Sequence, residues 1–373
     1  MMKRQHIQSL RTLRLIVILI IVASHFWMDD AACLQGFCVS FLFLYSGFFT
    51  AASHRVDSRY GLGDHARFMR DKLAKFYPLH VLALALCLLT VYLYWGANEV
   101  FSKVTLAHLT LTSSWIPTPG YYFGVNPVAW YICDLFFLYL ISPLIIKCLR
   151  RISLGWQVIV VVGLIGVEML VGYGDDSAPL SSLIPLPNHY FLYEFPPIRI
   201  LDFATGIVLY HVTQGRWWHA AASRLNASRA TLVEVGALVA FWLFYQLGKT
   251  LLHPHWYRAF CSMAPAVVTL LGAFVLTSGK GGVVSRLMSQ PQLALLSGIG
   301  AEIFLLQFGV FALVRYLVVR LGMPTQGLAY FVVQTAALLI VATAVHHGFV
   351  RPLYRCLKPR IESGCDEKCI KKT

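Results

Sequence analysis

Long apolar runs alternate with short polar connections along this chain, and the runs are of bilayer length. They lie at about residues 12–29, 36–52, 73–95, 128–147, 156–173, 199–213, 230–250, 260–278, 293–314 and 328–350. A hydrocarbon core ~30 Å thick takes about 20 residues of helix to cross. The pattern therefore predicts an all-α, polytopic integral membrane protein of about ten transmembrane helices, the sixth of them short. Residues 1–350 read as a single transmembrane domain and 351–373 as a short basic cytoplasmic tail. No internal repeat, low-complexity segment or soluble domain interrupts the pattern.

Lysine and arginine in the connections set the orientation. With the N-terminus cytoplasmic, 25 of the 31 basic residues fall on the inner side, from Lys3, Arg4, Arg11 and Arg14 to Arg351, Arg355 and Lys372. The outer side keeps Lys103, Arg199, Lys249, Arg258, Arg315 and Arg320. This bias supports an even number of spans with both termini cytoplasmic. The basic start and the apolar run Leu15–Ala23 resemble a signal peptide, but no small-x-small cleavage site follows, and His25 to Asp30 are bulky or charged. The segment reads as a retained first span.

Composition agrees. Of the 373 residues 58% are apolar and 13% charged, with a mean hydropathy of +0.65, too little charge to cover a soluble protein of this length. The net charge of +14 would suggest nucleic acid in a soluble chain; here it sets topology, and membrane lipids are the expected surroundings, not nucleic acid. A bacterial inner (plasma) membrane is the expected location, and a homo-oligomer stays open. Nine cysteines are scattered, several inside apolar runs where a thiol behaves as a small hydrophobe; Cys365 and Cys369 form a lone CxxxC in the tail, read as a free reduced pair. The outer connections 96–127 and 174–198 mix polar groups with aromatics, as in IPTPGYYFGVNP. That mixture suits sugar or lipid headgroups, and equally an interfacial aromatic belt.

Ionisable groups within spans are costly and are functional candidates. Arg14 and His25 in RLIVILIIVASHF are eleven residues apart, three helical turns plus about 20°, and so share one face with a rise of roughly 16 Å. With Arg14 at the cytoplasmic boundary, His25 would lie at or somewhat beyond the midplane. Histidine is the side chain suited to take and return a proton near neutral pH, although one merely hydrogen-bonded within a bundle would show the same spacing. The third span opens RFMRDKLAKFYPLH, crowding Arg67, Arg70, Lys72 and Lys75 at its cytoplasmic end. Lys72 and Lys75 lie one turn apart, a cluster that could bind phosphate or serve topology alone. Asp134, Glu168, Arg199 with Asp202, Glu302 and Gln307 are further polar groups in spans. Arg199 and Asp202, at i,i+3, could neutralise each other, while Glu168 needs a partner across the bundle. Asp134 lies one turn after Trp130, a pairing that could hold a sugar, ring on indole and hydroxyl on carboxylate. No Walker A loop, GxGxxG, GxSxG, HExxH or zinc cysteine pair is present, and SGKGG at 278–282 lacks the spacing and strand of a phosphate loop. No metal is expected.

Several segments together resemble the membrane-embedded acyltransferase family 3, whose members O-acylate cell-surface glycans, lipids and small metabolites. Arg14 and His25 match its first-helix arginine, ten residues, histidine; GFCVSFLFLYSGFF matches its second-helix ending in Ser46, Gly47 and Phe48. RFMRDKLAKFYPLH matches the basic run to Tyr77 and Pro78, and NPVAWYICDLFFLYLISP the Asn-Pro-x-x-Trp segment, with Asn126, Pro127, Trp130, Tyr139 and Pro143 in place. FPPIRILDFATGIVL matches the later Arg-to-Gly helix, with Arg199 and Gly206. The resemblance runs from the first span to the last in order. Departures are Leu135 and Phe136 where acids are common, Lys72 and Lys75 in place of arginines, Gln307 for a late histidine, and Val350 for an acid.

The resemblance implies transfer of an acyl group, usually acetyl, from a cytosolic coenzyme A thioester to a hydroxyl of a carbohydrate or lipid-linked sugar. Arg14, Arg70, Lys72, Lys75 and Tyr77 would hold the donor, acetyl-CoA or another acyl-CoA, with Ser46 as a candidate oxyanion donor. His25 would act as general base or acyl carrier, with Asp134 orienting it. Asn126, Trp130, Arg199 and Glu302 would serve the acceptor. No soluble SGNH-type domain follows the spans, so the chain is expected to act on the acceptor alone or to pass acyl groups to a partner. The rival class is a proton-coupled secondary transporter, which ten spans with intramembrane carboxylates and a histidine would also fit; the halves show no internal symmetry.

Overall fold

The computed structural model describes residues 4–26, 32–53, 56, 60–96, 100, 102–171, 187–251 and 265–363. Within them the regular structure is helical. The main helices are α1 (Arg4–Phe26), α2 (Ala32–Ser53), α3 (Leu62–Trp95), α4 (Ala129–Arg150), α5 (Leu154–Val171), α6 (Ile200–Thr213), α7 (Ala227–Leu251), α8 (Pro265–Leu276), α9 (Gly300–Arg320), α10 (Leu328–Val345) and α11 (Arg351–Ser363). Within the described residues each apolar run lies on one of the first ten, except the ninth, which a short preceding helix shares. Among the described residues seven helices are long and apolar enough to cross a membrane, and α5, α6 and α8 supply shorter apolar stretches. Helices are what such runs must form, because lipid offers backbone amides and carbonyls no partner. Pro78 in α3 and Pro143 in α4 are tolerated for the same reason: neighbouring helices can satisfy the groups they free.

Three boundaries differ from the sequence reading. α3 begins at Leu62, not near residue 73, because GDHARFMRDKLAKF continues the helix, with Asp64 accepting from the backbone amide of Gly61 at its start. Its 34 residues span about 51 Å, some 20 Å more than a hydrocarbon core. The ninth run is broken: a short helix Pro291–Gly298 ends, Ile299 is out of helical register, and α9 restarts at Gly300. The tail is helical through Ser363, joined to α10 by a π-helical turn at His346–Val350.

The chain forms two compact units. Met1–Val56 with Ile141–Gly300 makes the first, and Asp57–Leu140 with Ala301–Thr373 the second. In the first unit α2 and α6 run side by side in the same direction, Ser40 meeting Asp202 near one end and Phe48 meeting Tyr210 near the other. Gly47 and Gly206 let their backbones touch. A Cβ on Gly47 would lie 2.8 Å from the carbonyl carbon of Phe203, and one on Gly206 2.8 Å from the amide nitrogen of Phe48. Small residues at such crossings are how membrane helices gain close packing. Phe37, Phe41, Phe43, Phe48, Phe203 and Phe274 fill the core around this contact, each below 3% exposure. In the second unit α3 packs on α11 and on the π-helical turn, and Leu79, Ala83, Ile303, Leu305, Leu338 and Ala342 are buried. Apolar side chains on α5, α7 and α10, including Ile159, Val162, Leu232, Leu243 and Ile340, face outward, as lipid-facing positions do.

Candidate active site

In the first unit, α1 carries Arg14 and His25 on one unbroken helix, eleven residues and about 16 Å apart on nearly the same face. The Arg14 guanidinium sits 5.7 Å from the centre of the Tyr45 ring, and its Nη2 donates to the Ser297 carbonyl at 3.4 Å. Ser297 belongs to the last turn of Pro291–Gly298, where helix carbonyls attract a cation. The Ser297 hydroxyl also accepts from Gln8 at 3.1 Å. Arg14 Nε is buried and has no hydrogen-bond partner among the described residues. His25 is half-buried.

Ser46, one residue beyond Tyr45, donates its hydroxyl to the Leu42 carbonyl at 2.8 Å, so the oxyanion role expected of it requires that hydroxyl to swing. Arg199 is 1% exposed. Its Nη1 donates to Asp202 at 2.7 Å and reaches the Ser40 hydroxyl at 3.5 Å, and its Nε donates to the Tyr193 carbonyl at 2.8 Å. The rings of Phe43 and Tyr193 flank the guanidinium at 5.5 and 4.9 Å. These contacts tie α2, the short helix Asn188–Tyr193 and α6 together, and Glu168 on α5 joins Arg199 and Asp202 electrostatically. SGKGG is also explained. The carboxylate of Glu234 on α7 accepts from the amides of Val284 and Ser285 at 3.1 and 3.2 Å and from the Ser285 hydroxyl at 2.5 Å. Amides that a phosphate loop would offer to a ligand are held by the protein's own carboxylate.

In the second unit the basic run of α3 meets the Asn-Pro-x-x-Trp segment. Lys72 Nζ lies 5.0 Å from the centre of the Phe68 ring and 4.9 Å from that of Tyr139, positions that favour a cation over an aromatic face. Lys75 lies over Phe76 at 5.1 Å, and Arg70 is exposed. Tyr77 donates to the Leu109 carbonyl at 3.1 Å. Asn126 is fully buried, and its amide donates to the Leu305 carbonyl at 3.1 Å, anchoring the start of α4 to α9. Trp130 is 5% exposed and Asp134 fully buried.

Glu302 accepts from His346 Nδ1 at 2.7 Å, with the carboxylate side chain 3% and the imidazole 23% exposed. His346 was not singled out in the sequence. The signal was present, a pair of histidines closing the last apolar run, but its carboxylate lies 44 positions away. His80 of α3 donates to the His108 carbonyl at 2.9 Å and His108 to the Tyr121 carbonyl at 2.8 Å. Burial, reinforced by the neighbouring His80, pushes His108 down to about 4, against its hydrogen bond to Tyr121. Among the described residues no three metal-ligating side chains converge. The candidate residues thus divide, with Arg14, His25, Ser46 and Arg199 in the first unit and Arg70, Lys72, Lys75, Tyr77, Asn126, Trp130, Asp134 and Glu302 in the second.

The acyltransferase family 3 model, an acyltransferase domain, matches residues 7–347. The acyltransferase MdmB of Streptomyces mycarofaciens is 27% identical over 302 residues, covering 79% of this chain and 70% of that protein. No solved structure matches the chain. With its apolar helices and a match from the first span to the last, the chain is an integral membrane protein belonging to acyltransferase family 3.

Proposed function

We propose that this chain is an O-acyltransferase of a bacterial inner membrane, moving an acyl group, acetyl in the first instance, from cytosolic acyl-CoA to a hydroxyl of a glycan or related acceptor. Ten spans with both termini cytoplasmic fit the distribution of lysine and arginine and the ten apolar helices. The observation that carries the reading is α1: Arg14 and His25 share one face of a continuous helix, and Arg14 keeps a buried N–H that the described residues leave for a ligand. An arginine in that state suits an anionic or carbonyl group of the donor.

The chemistry balances with one base. His25 takes the acceptor's hydroxyl proton as the oxygen attacks the thioester carbonyl. The tetrahedral oxyanion collapses, the C–S bond breaks, and the thiolate of coenzyme A receives the proton. Lys72 and Lys75, with Arg70, serve the phosphates of the donor. Mass spectrometry of cell glycans and lipid-linked sugars with and without the gene tests the reading. O-acyl groups that vanish with the gene and with His25→Ala support it; an unchanged acylation pattern beside lost uptake or efflux of a solute would favour a transporter instead.

A further inference from the structure

In the second unit α3 is longer than a hydrocarbon core is thick, and α10 runs on through the π-helical turn into α11, which packs on α3. Counting back from Trp95, among the exposed aromatics Tyr92 and Tyr94, a ~30 Å core ends about 20 residues earlier, at Lys75. Residues 62–74 of α3 therefore project about 20 Å beyond it. Counting forward from Leu328, His346 lies about 27 Å along the last span, so the π-helical turn sits at the same boundary and α11 emerges past it. α11 packs on α3, and Tyr354 donates its hydroxyl to Asp71 at 2.6 Å.

The charges of this two-helix projection are unequal. α3 brings Arg67, Arg70, Lys72 and Lys75 against Asp64 and Asp71, and the first turns of α11 bring Arg351 and Arg355. Asp64 pairs with Arg67 and Asp71 accepts from Tyr354. Arg70, Arg351 and Arg355 are all exposed, with no carboxylate partner among the described residues. Arg351 and Arg355 are at i,i+4 and share a face. At the root stands His346. Its Nδ1 is fixed by Glu302, whose other oxygen, Oε2, is buried without a partner among the described residues. His346 Nε2 makes no hydrogen bond to another described residue, which leaves it for a ligand. A helix end that served topology alone would need neither the Tyr354–Asp71 link nor a buried carboxylate to orient a histidine.

Resting on the acyl-CoA reading above, we propose that the α3–α11 projection is the phosphate-binding site of the donor, with Arg351 and Arg355 of α11 and the Glu302-held His346 joining Arg70 of α3 to grip the pyrophosphate and ribose phosphate of coenzyme A. These groups bind the end of the donor that carries charge, and the thioester itself lies elsewhere. The shared chemistry is a phosphate ester, which an anionic lipid headgroup also presents.

The test uses the full chain reconstituted in vesicles, with acetyl-CoA and S-acetylpantetheine, which lacks all the phosphates, as alternative donors. The readout is the ratio of kcat/KM for acetyl-CoA to that for S-acetylpantetheine. The double variant Arg351→Ala with Arg355→Ala, and separately His346→Gln, should lower that ratio at least tenfold, mainly through the KM for acetyl-CoA; Tyr354→Phe should lower it less. Equal losses with both donors would mark a structural role and overturn the proposal, as would an unchanged ratio. Repeating the series with and without phosphatidylglycerol separates the sources: a defect that needs anionic lipid and strikes both donors alike assigns the surface to headgroups and overturns it. Calorimetric binding of coenzyme A keeps the two readings apart. If the wild type binds coenzyme A and the double variant binds it at least tenfold more weakly, the site stands even where no transfer is seen and the acyl-transfer reading fails; a wild type that binds no coenzyme A overturns the site.

Discussion

Replacing Gly206 by alanine places one methyl group in the closest backbone contact of the first unit. The new Cβ would lie 2.8 Å from the Phe48 amide nitrogen and 2.9 Å from the Leu44 carbonyl carbon, where ordinary contact begins at 3.4 Å. None of these atoms belongs to a flexible side chain, so α2 and α6 must separate by an appreciable fraction of an ångström. A radial gap of about 0.5–1 Å already forfeits a quarter to a half of each dispersion contact across the crossing. It also stretches the Ser40–Asp202 bond at 3.2 Å and the Arg199–Ser40 contact at 3.5 Å, which have little distance to spare. Overpacking of this kind costs about 1–3 kcal/mol, and stretching a buried polar network adds about 1 kcal/mol. Alanine's higher helix propensity returns about 1 kcal/mol. The net expectation is a loss of about 2 kcal/mol, seen as a fall of several degrees in Tm.

The assay can use the protein's own thiols. Cys38 on α2 is 2% exposed, so once the exposed thiols, Cys148 and Cys356 among them, are blocked in the folded protein, its labelling by a fluorogenic maleimide during a thermal ramp in detergent, located by peptide mapping, reports opening of this contact. Gly163 and Gly236 are controls, because a Cβ there meets nothing within 4 Å. Their alanine variants should be neutral or slightly stabilised. Gly47→Ala should behave like Gly206→Ala, and the double variant should lose less than the sum, since the first methyl has already parted the helices. If Gly206→Ala melts with Gly163→Ala and Gly236→Ala, the close backbone contact is wrong.

Glu234→Ala removes the carboxylate that caps Val284 and Ser285, and should cost about 1–3 kcal/mol, read as a lower Tm by the same thiol labelling; an unchanged Tm would mean that water serves those amides equally well. His108 gives a pH dependence. Its folded value of about 4 lies below that of the unfolded chain, so the unfolded state binds the extra proton. Stability is fully present above about pH 6.5 and is lost as pH falls from there towards about 4, by on the order of 3 kcal/mol. Tm measured across that window should slope less in His108→Gln than in the wild type, and equal slopes would contradict the assignment.

Hydropathy made the helices legible, because in lipid a long apolar run has one backbone solution. The Arg199–Asp202 pair was legible too, being one turn apart on one helix. What depended on distant chain segments was not. Glu168 finds Arg199 from another helix, Glu234 reaches the amides after SGKGG from α7, and Glu302 meets His346 across 44 positions. Periodicity carries no information on such pairings. Gly47 and Gly206 were visible as motif residues, but their reason, a backbone contact between two helices, is tertiary. Helix continues through polar residues once it is nucleated. That continuation moved the start of α3 by eleven residues and put the basic cluster inside the helix.

The central claim is that His25 serves transfer from acyl-CoA. Purified chain in vesicles, supplied with [14C]acetyl-CoA and a mixed extract of membrane glycolipids, puts it to the most direct test. The account expects label in a hydroxylamine-sensitive ester on an acceptor with the wild type, and a loss of at least a hundredfold in His25→Ala with folding, judged by thiol labelling, unchanged. Equal labelling by wild type and His25→Ala would contradict it.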